Sequence, residues 1–227
     1  MNILCVSDQI DPLVYSVNVK DRYKDIDMVL SAGDLPLEYL EFIVSSLNKP
    51  LLFVFGNHNL NGLSFFHRNI PPGEESGIWD THSIGGGLGS TYIGFRTHQE
   101  ANLLFAGASG CLRYNGGVAH CQYTEQQMKR QLLALVPQLL LNKVRYGRYL
   151  DVFVAHAAPF GIHDRPDRCH QGFKCFLWFI KTFAPRYFLH GHIHLYDSQA
   201  ERVSVYHTTT IINVFSNYIL KIDPPCA

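Results

Sequence analysis

Short apolar runs alternate with polar segments of helical period along most of the chain. Residues 3–6, 28–32, 51–55, 103–106, 152–155 and 187–189 are continuous apolar or small-residue runs. Their length and β-branched content suit strands buried on both faces. Residues 12–23 and 36–47 lie between the first three runs, each preceded closely by an aspartate and each with a proline near its start, a helix-entry signal. In the second, Leu37, Leu40, Ile43, Val44 and Leu47 make the apolar stripe of an amphipathic helix. Strand, helix, strand, helix, strand is the order that builds a parallel sheet. A third helical pattern begins at Thr124, placed to cap, with Glu125 in its first turn. It runs through Met128, Leu132, Leu135 and Leu139, and Pro137 should kink or split it. A fourth spans residues 170–183 and is rich in aromatics. The β-branched stretch 203–222 predicts one or two terminal hairpins, with Asn217 near a turn. Residues 59–77 predict a long surface loop around Pro71-Pro72-Gly73. Gly85-Gly86-Gly87 and Gly89 lack the strand–loop–helix context of a dinucleotide or nucleoside-triphosphate loop.

Composition narrows the function classes. The 227 residues predict one domain over 1–227. Charged residues are 17% and hydrophobic residues 47%, which excludes intrinsic disorder. Nineteen basic residues balance nineteen acidic ones, which argues against a nucleic-acid coat. No apolar run reaches the ~18–20 residues of a membrane span. The first residues, MNILCVSDQID, lack the basic start of an export signal, so the expected location is cytoplasmic. The six cysteines show no C-x-x-C spacing and read as free thiols, mostly in the core. Twelve histidines are the unusual number, and five of them (His58, His156, His190, His192 and His194) lie in or beside apolar runs.

Those histidines share a position. The run at 3–6 ends in Ser7-Asp8, that at 28–32 in Gly33-Asp34, and that at 51–55 in Gly56-Asn57-His58. The run at 152–155 ends in His156, and that at 187–189 in His190-Gly191-His192-Ile193-His194. In a mostly parallel sheet the carboxyl ends share one edge, where α/β ligand sites form. Carboxylate, amide oxygen and imidazole together suit Mn, Fe or Zn. No thiolate is among them, which excludes a structural zinc knuckle. Two carboxylates and several imidazoles exceed one ion's needs and fit a two-metal site. A glycine before Asp34, Asn57 and His192 allows a sharp turn at each.

Asp8, Gly33-Asp34, Gly56-Asn57-His58, His156 and Gly191-His192-Ile193-His194 resemble the five motif blocks of calcineurin-like metallophosphoesterases. The stretch from His156 through Gly161-Ile162-His163-Asp164 to Phe173 is similar to small metallophosphoesterase-domain proteins and class III cyclic-nucleotide phosphodiesterases. The resemblance implies an α/β fold, a four-layer α/β/β/α sandwich of two mixed sheets flanked by helices. It implies a dinuclear centre in which Asp34 bridges, Asp8 and His194 hold the first ion, and Asn57, His156 and His192 hold the second. His58 would stand beside them as proton donor or charge stabiliser. The reaction implied is hydrolysis of a small phosphate ester, a diester before a monoester, by a hydroxide bridging the two ions. Arg113, in the polar loop at 113–117, is a candidate phosphate contact, since guanidinium binds phosphate in bidentate fashion. One block departs from the family pattern. The first is normally D-x-H and here reads Asp8-Gln9-Ile10, so the first site lacks that usual histidine, keeps Asp8, Asp34 and His194, and should bind its metal more weakly. The alternative is therefore a non-catalytic or mononuclear metal-binding or scaffolding member of the same fold. A nuclease or nucleotidase would call for a basic groove, which the balanced charge disfavours.

Overall fold

In a computed structural model, which describes residues 1–60, 63, 89–116, 120–197 and 199–223, the apolar runs become the centres of two mixed sheets. The order is β1 (Asn2–Ser7), α1 (Val19–Arg22), β2 (Met28–Ser31), α2 (Leu37–Leu47), β3 (Leu51–Phe53), β4 (Ser90–Tyr92) and β5 (Thr97–Glu100). There follow β6 (Leu103–Ala108), β7 (Cys111–Leu112), β8 (Gln122–Tyr123), α3 (Glu125–Tyr146), β9 (Val152–Ala155), α4 (Lys174–Phe183) and β10 (Tyr187–His190). The last strands are β11 (Val203–Tyr206), β12 (Thr209–Asn213) and β13 (Ser216–Lys221). One sheet has the order β13-β1-β2-β3-β4 and the other β11-β12-β10-β9-β6-β5. β1, β2, β3 and β4 run parallel, as do β6, β9, β10 and β12, while β13, β11 and β5 join antiparallel.

Alternation within each strand explains why the runs are apolar throughout. In β1, Leu4 and Val6 face α1 and α2 with Val29, Leu40, Ile43 and Phe53. Ile3 and Cys5 face the other way, into a layer shared by Leu30, Val54, Phe105, Val152 and Leu189 of both sheets. The second sheet's far side packs Phe153 and Phe188 against Leu132 and Leu139 of α3 and Phe176 and Phe179 of α4. Helices, sheet, sheet and helices form the four layers, as expected of the family pattern.

Several local expectations need correction. Only residues 19–22 of the 12–23 segment are helical. The Asp11 carbonyl takes the N–H groups of Val14 and Tyr15, and its carboxylate that of Leu13, so this stretch folds as turns around Asp11. Ser16, Val17 and Asn18 are poor helix formers that do not resist this. The fourth helix starts at Lys174, not His170, and no side chain of its own caps it. Instead the Glu125 carboxylate of α3 accepts from the N–H of Lys174 and of Cys175. α3 runs unbroken through Pro137. It starts on a capping box, Thr124 accepting from Gln127 N at 3.2 Å and Gln127 Oε1 from Thr124 N at 2.9 Å. β11 and β12 do form a hairpin, but β13 leaves it and pairs with β1 in the other sheet. Asn217 therefore lies in a strand opposite Val6, donating to the Asp11 carboxylate at 2.6 Å. Most of the expected 59–77 loop, Gly85-Gly86-Gly87, Gly117 and Cys226 lie outside the described residues. The five described cysteines are unpaired, and all but Cys169 are buried. Among the described residues no helix is long and apolar enough to cross a membrane.

Phe153 is fully buried, with ring centroids 4.5 Å from Phe179 and 5.3 Å from Phe188. Phe153→Ala should lower unfolding free energy by about 3–5 kcal/mol, read from urea denaturation. A loss under ~1 kcal/mol would show this layer to be loosely packed.

Candidate metal centre

The carboxyl ends of β1, β2, β3, β9 and β10 meet at one edge, and there the backbone leaves ordinary strand geometry. Asp8, Asp34 and His192 have φ of 64°, 57° and 64°, in the left-handed region. Such conformations are uncommon outside glycine and cluster at functional sites. The glycine expectation holds in a modified form. Gly33 has φ 99°, whereas Gly56 and Gly191 are not left-handed and supply space instead. A Cβ on Gly191 would land on Ser7 Oγ and Asp8 Oδ2.

His156, from the second sheet, reaches across to the first. Its Nδ1 lies 2.8 Å from the Ala32 carbonyl, which can only accept, so Nδ1 carries a proton. Its Nε2 lies 3.2 Å from Asp34 Oδ2 and 3.1 Å from Asn57 Oδ1. The amide of Asn57 is oriented by its Nδ2, which donates to the Tyr114 hydroxyl at 3.2 Å. One lone pair thus confronts two oxygen acceptors, and the arrangement requires a positive charge at Nε2. Either a second proton or a metal cation meets that need. Asp34, His156 and His192 offer ligand atoms within 4.8 Å of one another, all three residues being buried. His192 Nε2 donates to the Cys169 carbonyl at 2.7 Å, leaving Nδ1 as its lone-pair donor. These residues fit a divalent cation in number, type and tautomer.

A second group adjoins the first. The buried Asp8 carboxylate accepts the His192 backbone N–H at 3.0 Å through both oxygens and lies 3.8 Å from His194 Nε2. His194 Nδ1 pairs with the Tyr196 hydroxyl at 2.7 Å. Ile10 is 41% exposed and brings no donor. His58 is exposed, its N–H donating to Asp34 Oδ1 at 2.7 Å. Arg113 is engaged elsewhere, its Nη2 donating to the Gln122 carbonyl at 3.3 Å and to Gln127 Oε1 at 3.4 Å.

Electrostatics follow from this packing. Burial pushes Asp34 up, but the His156 ring, its hydrogen bond and the His58 N–H outweigh it and hold the carboxyl well below its usual range. Burial lowers His156, yet Asp34 and Asp8 raise it to about 9. Burial dominates Asp8, raising it, and Asp34 adds to the rise. Burial and then the neighbouring His156 charge push His192 down to about 3.

The family model for calcineurin-like phosphoesterases matches residues 1–196. The chain belongs to the calcineurin-like phosphoesterase family. Its members bind divalent metal ions, and their chemistry is metal-dependent hydrolysis of phosphate esters. This phosphoesterase is similar in fold to TT1561 of Thermus thermophilus, with a TM-score of 0.59 and 14% identity over 95% of this chain and 89% of that one. Another crystal structure gives a TM-score of 0.64 at 12% identity, covering 96% and 94%. No curated protein matches the sequence.

Several contacts of the candidate centre have no signature in the sequence. The carbonyls of Ala32 and Cys169 carry no sequence signature, because every residue has one. Tyr114 stands next to Arg113, the candidate phosphate contact of that loop. Asn59, whose Nδ2 donates to the Asp34 carbonyl at 3.0 Å, follows the recognised Gly56-Asn57-His58 block directly.

The raised His156 gives metal-free protein a defined pH response. Its stabilisation is complete below the ordinary value of 6.5 and is lost as pH rises through about 9. Thermal melts of metal-free protein should therefore fall across that window. His156→Gln should flatten the slope, and Mn²⁺ should reverse it, because the cation displaces that proton. An unchanged slope in His156→Gln would assign the response to another group.

Proposed function

We propose that the protein hydrolyses a small phosphodiester, in preference to a monoester, at a dinuclear centre. The observation that carries this reading is His156 Nε2 facing Asp34 and Asn57 oxygens, a place for a cation built from both sheets. Asp34, Asn57, His156 and His192 would hold one ion, and Asp8, Asp34 and His194 the other. Two divalent cations, Mn, Fe or Zn, would neutralise phosphate oxygens and make water nucleophilic at neutral pH. The chain's own residues do the rest. Asp34, deprotonated across the physiological range, supplies a constant negative charge between the groups. His58, exposed and anchored through its N–H on Asp34, gives the departing oxygen its proton. Arg113 would join the phosphate only by releasing Gln122 and Gln127. The diester preference rests on the resemblance of residues 156–173 to class III cyclic-nucleotide phosphodiesterases. The five unpaired cysteines among the described residues fit a cytoplasmic setting. β12 and β13, beyond the matched residues, pair with β10 and β1, which fits one domain.

Ile10 favours a second reading, in which one ion binds and the protein acts as a scaffold. Metal-stripped protein reloaded singly with Mn²⁺, Fe²⁺ or Zn²⁺ separates the two when assayed on a generic diester and a generic monoester. We expect faster diester turnover and two unequal Mn²⁺ affinities by calorimetry. Asp34→Asn should lose at least ~10²–10³-fold in turnover with an unchanged circular dichroism spectrum. Equal rates on both esters would remove the diester preference. Turnover of neither, with one bound ion, would establish the scaffold.

A further inference from the structure

The loop between β9 and α4 contains a second convergence of donors. Asp167 Oδ1 receives Cys169 Sγ–H at 2.9 Å, while His170 Nδ1 lies 2.7 Å from the same oxygen and 3.4 Å from Cys169 Sγ. These three ligand atoms lie within 4.8 Å of one another, and none belongs to the centre described above. We propose that Asp167, Cys169 and His170 form a separate site for a divalent cation of borderline softness, Zn²⁺ above all.

Charge and geometry both support it. Two protons, from Sγ and Nδ1, converge on one carboxylate oxygen. A single divalent cation replaces both and is bonded by all three atoms, with the thiolate and carboxylate balancing its charge. With zinc bonds of about 2.0–2.3 Å at tetrahedral angles, ligand atoms stand roughly 3.3–3.6 Å apart. The present edges of 2.7, 2.9 and 3.4 Å reach that by small movements of partly exposed side chains. The loop is held while they move. Asp164 accepts the N–H groups of Gly161 at 3.0 Å and Gly172 at 2.9 Å, and Arg165 N donates to the His170 carbonyl at 3.2 Å. Three protein ligands leave a coordination position open, as in reactive rather than structural zinc sites.

The site is adjacent to the main centre. The Cys169 carbonyl accepts from His192 Nε2, and the His170 and His192 rings are 5.3 Å apart between centroids. A cation bound to the Cys169 thiolate would fix the carbonyl that sets the His192 tautomer, so loading the outer site steadies a donor of the inner one.

The thiolate makes the test specific, because the main centre offers only oxygen and nitrogen donors. Full-length metal-free protein is titrated with Co²⁺ and watched for a near-ultraviolet thiolate-to-cobalt charge-transfer band. We expect the band in the unmodified protein and its complete loss in Cys169→Ser, with visible absorption from oxygen- and nitrogen-bound cobalt retained. His170→Gln should weaken the band's Co²⁺ dependence at least ~10-fold. Zinc content by elemental analysis should fall by one equivalent in Cys169→Ser. No band in the unmodified protein, or a band that survives Cys169→Ser, overturns the proposal. Either result leaves the hydrolytic reading intact, since that reading uses none of these three side chains, only the Cys169 backbone carbonyl.

Discussion

At the edge where the two sheets meet, a buried imidazole of one donates to a backbone carbonyl of the other, and this bond limits where every neighbouring charge can stand. With Nδ1 of His156 committed to Ala32, its Nε2 must face the Asp34 and Asn57 oxygens. Those residues are then held in turn. Asp34 takes the His58 N–H and Asn57 leans on Tyr114. The apolar layer between the sheets gives no direction of its own, because hydrophobic contact has none. Register at the carboxyl edge comes instead from polar bonds between the sheets, including Phe55 N donating to Ser109 Oγ at 3.1 Å.

The centre divides into two unequal halves. The half around His156 is enclosed, with four candidate donors and two tautomers fixed by backbone carbonyls. In the half around Asp8 and His194 the imidazole is paired with the hydroxyl of the exposed Tyr196 rather than with backbone. If both halves hold ions, as proposed, this asymmetry would make exchange easier on the Asp8 side.

The legible parts of the molecule were those whose physics is local or periodic. β1, β2, β3, β9 and β10 are buried on both faces, so their sequences carry an unbroken apolar signal. α2 shows its stripe, with Leu37, Leu40 and Ile43 buried and Val44 and Leu47 packed behind them. The polar endings of those strands were equally visible, because each Asp, Asn or His stands directly after a run. What stayed hidden was set by partners distant in sequence. The turns after β1 belong to the Asp11 carboxylate, which Ser216 and Asn217 hold from the far end of the chain. α4 begins where a glutamate of α3 can reach it. β7 and β8 are two residues each, too short for any pattern to emerge.

β13 has a consequence for how the chain is made. It pairs with β1 in register from Asn2↔Lys221 to Ser7↔Ser216, and the N-terminal amine of Met1 donates to the Ile222 carbonyl at 2.9 Å. As the chain is synthesised, β1 therefore keeps one flank bare until β13 has followed. Closing a contact of that span is slow. Until then one edge of a strongly apolar strand stays open to wrong pairing, while its other edge can already pair with β2.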